Sequence, residues 1–138
     1  MLQTRATQAC LAVAALAFLA VGVGHLVAPL AMVEPVNLDL RGVNAFNEIR
    51  ANYGGMHFLM GLFFLSGVFL TKVRWAALAA LAVFTSGLVL GRVVSVVADG
   101  PPGTFIWLLL VGELVVAAAA WFLLGRARFG GAPDGASR

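Results

Sequence analysis

Four long apolar segments, separated by short polar breaks, set the pattern of this chain. A helix that crosses the hydrocarbon core of a bilayer needs about 20 consecutive, mostly apolar residues. The segments at residues 9–33, 47–70, 73–98 and 104–125 meet this requirement and predict four membrane-spanning helices. Pro29 and Pro35 mark the end of the first, and Pro101 and Pro102 separate the third from the fourth, because proline disrupts a helix interior. Short connections favour antiparallel neighbours, so the predicted fold is an all-α, up-down four-helix membrane bundle.

The domain organisation follows from these segments. Residues 1–126 are predicted to form one transmembrane domain, with Asn44 or Asn47 capping the second helix. The apolar run from Ala9 to Val33 is longer than the roughly 7–15 residues of a signal-peptide core, so we expect a retained span. Residues 127–138 are rich in Gly and predict a disordered C-terminal tail.

The distribution of basic residues predicts the direction of the helices. One side of the predicted bundle receives Arg5, Lys72, Arg74, Arg126 and Arg128. On the other side, acidic residues offset the basic residues of the 34–50 connection. Loops rich in Lys and Arg stay in the cytoplasm, so both termini are predicted to be cytoplasmic.

Composition excludes a soluble domain. Of 138 residues, 62% are hydrophobic and only 11% are charged, whereas soluble domains carry about 25% charged residues. The formal charge of +3 comes from basic residues scattered between apolar segments, which is not the pattern of a nucleic-acid surface. The single cysteine, Cys10, rules out an internal disulfide framework.

Polar residues within the predicted spans concentrate in the outer half of the membrane, where they would be costly unless they face the protein interior or water. The helical rise of about 1.5 Å per residue puts them at similar depths in all four helices. We therefore predict that they converge on one outward-facing, ligand-binding pocket. The candidate residues are His25, Glu48, Arg50, Tyr53, His57, Arg92, Ser95, Asp99 and Glu113.

Glu113 lies near the middle of the fourth helix, where a carboxylate needs a cationic partner or a proton. Arg92 is the best partner by depth, and His57 is the next. A buried Arg92–Glu113 pair that only fixes helix register is the alternative to a ligand-binding role. The sequence has no His-x-x-x-His or Glu-x-x-His spacing, so neither a metal site nor a cofactor is predicted.

Small residues at helical spacing predict close contacts between helices. Gly87, Gly91 and Ser95 form one strip on the third helix, and Gly54 and Gly61 share a face of the second.

Two motifs resemble those of a bacterial family of small membrane proteins known only as a domain of unknown function. The first, Glu-x-Arg-Ala-x-Tyr-Gly-Gly, opens the second helix at residues 48–55, and the second, Gly-Arg-x-x-Ser-x-x-x-Asp-Gly-x-Pro, closes the third at residues 91–102. The resemblance covers nearly the whole chain up to about residue 125. It implies a four-helix, multi-pass protein of the bacterial inner membrane, and it implies no reaction. The residues that define the pattern are Glu48, Arg50, Tyr53, Arg92, Ser95 and Asp99; His25 and His57 are outside it.

The leading functional hypothesis is a binding module for a small amphipathic molecule, such as a lipid or a quinone-like compound. Arg50 and Arg92 would meet its anionic or carbonyl end. The main alternative is a structural or accessory subunit with a membrane-protein partner or a second copy of the chain. A membrane-embedded enzyme that uses paired acid and base groups is less favoured. A proton-coupled transporter is also less favoured, since the inner half lacks a polar relay. Membrane lipids are expected partners, and nucleic acid is not.

Overall fold

The structure, a computed structural model, describes the backbone of residues 2–129 and the side chains of residues 4–126. Helices form nearly all of it, which confirms the predicted all-α class. In chain order they are α1 (Leu2–Val27), α2 (Pro29–Val33), a 3-10 turn (Glu34–Val36), α3 (Gly42–Ile49), a π-helical turn (Arg50–Gly55), α4 (Met56–Phe69), α5 (Thr71–Asp99) and α6 (Thr104–Phe129). Residues 130–138, most of the predicted disordered tail, lie outside the described residues.

Within the part of the chain that the structure describes, three helices are long and apolar enough to cross a membrane: Thr4–Val27 in α1, Thr71–Asp99 in α5 and Thr104–Arg126 in α6. In α5 and α6, only 17% of the most apolar stretch is buried inside the protein. Apolar surface of this extent needs a non-aqueous environment. The chain is therefore a membrane protein.

The second predicted span, 47–70, corresponds to a composite element. α3, the π-helical turn and α4 form one uninterrupted run of helical backbone over residues 42–69. α4 alone has 14 residues, which at about 1.5 Å per residue is too short to cross the hydrocarbon core. The four-span count stays a prediction.

Two helix boundaries differ from the sequence-based expectation. The first apolar run breaks at Ala28, because Pro29 lacks the amide hydrogen that would continue α1 and instead occupies the first turn of α2. The second helical run begins at Gly42, with Arg41 as the N-cap and no side-chain capping bond. Asn44 and Asn47 therefore lie inside α3, and the predicted capping role is wrong for both.

α1 and α4 are antiparallel and pack at backbone distance. A Cβ atom added at Gly22 of α1 would lie 2.5 Å from the amide nitrogen of Phe58, and one added at Gly61 of α4 would lie 2.9 Å from that of Leu19. Only glycine permits this approach. Gly87 and Gly91 of α5 have no atom within 4 Å of an added Cβ, so the small-residue prediction holds on α4 but is wrong on α5 within the described residues.

Arg5, Lys72, Arg74 and Arg126 lie at the same end of the helices. Arg74 of α5 donates hydrogen bonds of 2.8 and 2.9 Å to the carbonyl oxygens of Gly67 and Val68 at the end of α4. Gln8 of α1 donates to Val68 as well, at 2.8 Å. These bonds satisfy carbonyl groups that the last turn of a helix leaves unpaired. We call this the basic end. The opposite end, where Glu34, Asp39, Glu48 and Asp99 lie, is called the acidic end.

The apolar core occupies the half of the molecule near the basic end. Its fully buried large side chains are Leu11, Phe64, Leu78 and Leu81. Within the described residues, α5 has no buried residue after Thr85, and α6 has none before Ala117. Tight packing of α5 and α6 therefore ends about halfway along the molecule.

Candidate functional site

Four side-chain rings form a connected cluster at the level where the tight packing of α5 and α6 ends. The Tyr53 ring stacks against His25 at 5.4 Å and against His57 at 5.7 Å between ring centres. His57 also stacks on Phe18 at 5.2 Å. We call these residues of α1, the π-helical turn and α4 the ring cluster. The structure thus brings together three of the nine predicted site residues: His25, Tyr53 and His57.

Each imidazole of the ring cluster is fixed by a backbone hydrogen bond. Nδ1 of His25 lies 2.8 Å from the carbonyl oxygen of Val21, and Nδ1 of His57 lies 3.0 Å from that of Asn52. A carbonyl oxygen only accepts, so Nδ1 donates in both rings. In the neutral imidazole Nε2 is then a hydrogen-bond acceptor.

The two Nε2 atoms have no hydrogen-bond partner among the described residues. The side chains are nearly buried, His25 being 8% and His57 7% exposed. Among the same residues, no fully buried side-chain nitrogen or oxygen lacks a partner. Each Nε2 atom must therefore reach the accessible surface. The Tyr53 hydroxyl has no described partner either, and this side chain is 47% exposed.

The π-helical turn gives Tyr53 its position. In a π-helical turn, hydrogen bonds run from residue i to residue i+5, and such turns are rare and frequent at functional sites. Here the amide of Met56 donates to the carbonyl of Ala51. The extra residue in the turn shifts Tyr53 relative to the α3 residues before it. The turn coincides with the Arg-Ala-Asn-Tyr-Gly-Gly portion of the first motif.

Arg92 and Glu113 form a bidentate ion pair between α5 and α6, as their depths predict. Nε and Nη2 of Arg92 lie 2.6 and 2.7 Å from the two carboxylate oxygens of Glu113. The side chains are 24% and 16% exposed. Arg92 follows Phe84, whose ring packs against His57, by about two turns of α5, so the pair lies on the acidic-end side of the ring cluster. Because Glu113 occupies both of these donors, Arg92 is a weak candidate for binding an anion.

The other four predicted residues make local contacts. Nε of Arg50 donates to the carbonyl oxygen of Leu26 at 3.2 Å, which caps the end of α1. Glu48 accepts a bond of 3.0 Å from the amide of Asn52 one turn later. Ser95 donates to Asp99 at 2.9 Å, and both are exposed on α5. The convergence of all nine residues on one pocket stays a prediction.

Three residues of this region were not among the predicted site residues: Phe18, Asn52 and Phe84. Phe84 of α5 packs edge-on against His57 at 5.5 Å and against Phe18 at 5.1 Å. A spacing signal was available, since Phe18 precedes His25 by two helical turns and therefore shares its face of α1. The Asn52 carbonyl had no such signal, because its role depends on the π-helical turn.

Metal ligation has no geometric support in the described part of the chain. No three His, Cys, Asp or Glu side chains there lie close enough together to hold one ion. The imidazoles of His25 and His57 both stack against the Tyr53 ring. The carboxylate of Glu113 is bound by Arg92.

Comparisons with known proteins agree with this outline. No curated protein and no solved structure matched the chain. A family model described as "Domain of unknown function (DUF4345)" matches residues 6–124. This range contains the ring cluster, the Arg92–Glu113 pair and all three long apolar helices. The chain belongs to the DUF4345 family.

Proposed function

We propose that the protein binds a small amphipathic molecule in the half near the acidic end. The head group would lie against the ring cluster, and the apolar tail would lie along α5 and α6. The observation that carries this proposal is that the burial of α5 and α6 ends at the level of the ring cluster, and that the Arg92–Glu113 pair lies beyond this point, towards the acidic end. Unpartnered polar atoms next to unfilled apolar surface suit a molecule with both characters.

The apolar surface is available on both helices. In the half near the acidic end, exposed side chains on α5 include Val93 and Val97, and on α6 they include Leu108 and Val111. Lipid chains would cover part of this surface in any membrane protein. A surface that only contacts bulk lipid needs no polar side chains, whereas the ring cluster contains two imidazoles that are fixed by backbone hydrogen bonds and have free Nε2 atoms.

The proposal includes the membrane arrangement. We propose four spans, with residues 42–69 as the second, in the inner membrane of a bacterium and with both termini in the cytoplasm. Arg5, Lys72, Arg74 and Arg126 support this direction, because they lie towards the basic end of the helices. The ring cluster would then face the outer leaflet.

The test is the composition of the lipid extract from purified protein. Protein solubilised in a mild detergent should carry one amphipathic species enriched over the bulk membrane extract, detected by mass spectrometry. Tyr53→Leu should lose this enrichment, because the ring that connects the two imidazoles is removed. Trp75→Leu is the matched control, since Trp75 is also an exposed aromatic residue but lies near the basic end. An extract from the unmodified protein that matches bulk lipid would contradict the proposal.

A further inference from the structure

We infer that the head group of the bound molecule is an uncharged hydroxyl group, which donates a hydrogen bond to Nε2 of His25 or His57. This inference rests on the proposed function and specifies the chemistry of its ligand. The class comprises phenols and hydroquinones with an apolar tail, and lipids with a free glycerol hydroxyl. It excludes head groups that bring acceptors only, namely carboxylates, quinone carbonyls and ionised phosphates that carry no hydroxyl or ammonium group.

The first step in the argument is the hydrogen-bond polarity of the imidazoles. Both Nδ1 atoms donate to backbone carbonyl oxygens, those of Val21 and Asn52. In the neutral rings both Nε2 atoms are acceptors, so each of them can accept a hydrogen bond from a donor. An acceptor head group placed there would leave the Nε2 atoms unsatisfied, and an unsatisfied polar group costs more than a made hydrogen bond gains.

The second step is the state of the nearby cations. An anionic head group would need a free guanidinium, but Arg92 is held by both oxygens of Glu113 at 2.6 and 2.7 Å. Arg50 donates to the Leu26 carbonyl and lies 5.7 Å from the centre of the Phe46 ring. The charge of Arg92 is therefore already neutralised by Glu113, and an anion added beside Arg92 would compete with this carboxylate.

The third step is shape. The Tyr53 side chain is about half exposed, and its ring stacks against both imidazoles, those of His25 and His57. Its hydroxyl has no described partner and can accept or donate. A flat or small head group fits beside such rings, and offset stacking on an aromatic ring is favourable. A hydroxyl on a ring or a short glycerol backbone meets both requirements.

Matched pairs of probes test the inference. The purified, full-length protein in lipid nanodiscs is titrated by calorimetry with para-decylphenol and with para-decylanisole, its methyl ether, which lacks only the donor. We expect the phenol to bind roughly fivefold or more tightly, the effect of about one net hydrogen bond. Dioctanoylglycerol and dioctanoyl phosphatidic acid form the second pair. Tighter binding of the phenol or of the glycerol identifies the source of the hydroxyl, and either result supports the inference.

Variants of His57 connect the preference to the site. His57→Phe removes the acceptor and keeps a ring, so it should reduce the phenol-to-ether preference while ether binding persists. His57→Gln, which retains an acceptor oxygen, should keep part of the preference even if the phenylalanine variant folds poorly. Arg41→Gln, in the exposed 37–41 connection, is the control and should leave all affinities unchanged.

The outcomes separate the two proposals. Equal affinities for phenol and ether, together with binding of dioctanoylglycerol that is no tighter than that of phosphatidic acid, would overturn the inference while leaving a binding site in place. No saturable binding of any probe would overturn the proposed function and the inference with it. A preference for the phenol that is unchanged in both His57 variants would assign the acceptor to His25, and a preference that also persists in His25→Phe would overturn the inference.

Discussion

Arg92 and Glu113 form an ion pair between two apolar helices, α5 and α6, and this pairing lowers the cost of placing each charge there. Each partner supplies the opposite charge at hydrogen-bond distance, with two bonds of 2.6 and 2.7 Å. Such a pair adds little stability compared with apolar residues of the same volume, but the loss of one partner leaves a charge without compensation.

The expected result of Glu113→Gln is a loss of roughly 2–4 kcal/mol in the free energy of unfolding in detergent. Breaking a fully buried pair costs about 3–5 kcal/mol, and this pair keeps some exposure. The double replacement Arg92→Met with Glu113→Leu should recover most of the loss. Asp39→Asn is the control, because it breaks the exposed Arg41–Asp39 pair, which should contribute little. Equal losses of unfolding free energy from Glu113→Gln and Asp39→Asn would show that the Arg92–Glu113 pair contributes no more than an exposed ion pair.

The sequence predicted individual polar residues better than their contacts. The depths of Arg92 and Glu113 sufficed to pair them, since both positions follow from helix boundaries that Pro101 and Pro102 fix. Arg50 was expected to meet a ligand, yet it caps α1. Its depth is the same in either role, and only the break before Pro29 exposes the Leu26 carbonyl to it.

Between elements, the closest contact is that of α1 with α4, where glycine allows the two backbones to touch. Gly22 faces the backbone of Phe58, and Gly61 faces that of Leu19. This contact fixes the position of His25 relative to His57, because each histidine lies one turn or less from one of these glycines. The arrangement of the ring cluster therefore depends on helix packing as well as on its own rings.

Gly22→Ala should lower the free energy of unfolding by roughly 1–3 kcal/mol, because the added methyl group overpacks the interface. The new Cβ would lie 2.5 Å from the Phe58 amide nitrogen, so the helices must separate. Gly87→Ala is the matched control: its Cβ meets nothing within 4 Å, and alanine favours a helix over glycine by up to about 1 kcal/mol. Denaturation in mixed micelles, followed by circular dichroism, measures both. A neutral Gly22→Ala variant would show that α1 and α4 are farther apart than the structure has them.

Element boundaries divide into those that local chemistry dictates and those that it does not. The turn at residues 99–103 was predicted because Pro101 and Pro102 cannot lie in a helix interior, and in the structure Gly100 ends α5 with a φ of 98°. The π-helical turn was not, since Arg-Ala-Asn-Tyr-Gly-Gly is compatible with an ordinary α-helix and the insertion is a matter of packing against α1. The strip of Gly87 and Gly91 shows the converse, a helical pattern of small residues without a described neighbour.

At the scale of the whole molecule, the two halves differ in how they are held together. Near the basic end, apolar residues of α1, α4, α5 and α6 form the core, and Arg74 and Gln8 cap α4. Near the acidic end, rings and the Arg92–Glu113 pair replace that core. A helical protein with one packed half and one polar half has a built-in direction, and the half with fewer apolar contacts is the one in which we propose that a ligand binds.

Cysteine labelling in intact bacterial cells tests both the direction and the number of spans. In a Cys10→Ser background, Leu38→Cys should react with a membrane-impermeant maleimide, because Leu38 is exposed in the connection before α3. Lys72→Cys, at the exposed start of α5, should react only after the cells are permeabilised. The two positions flank the composite run of α3, the π-helical turn and α4, so they lie on opposite sides only if this run crosses the membrane. Labelling of both in intact cells, or of neither, would leave three spans and return residues 42–69 to one surface. The reverse pattern would keep four spans but place the ring cluster near the cytoplasm, where its ligand would have to come from the inner leaflet.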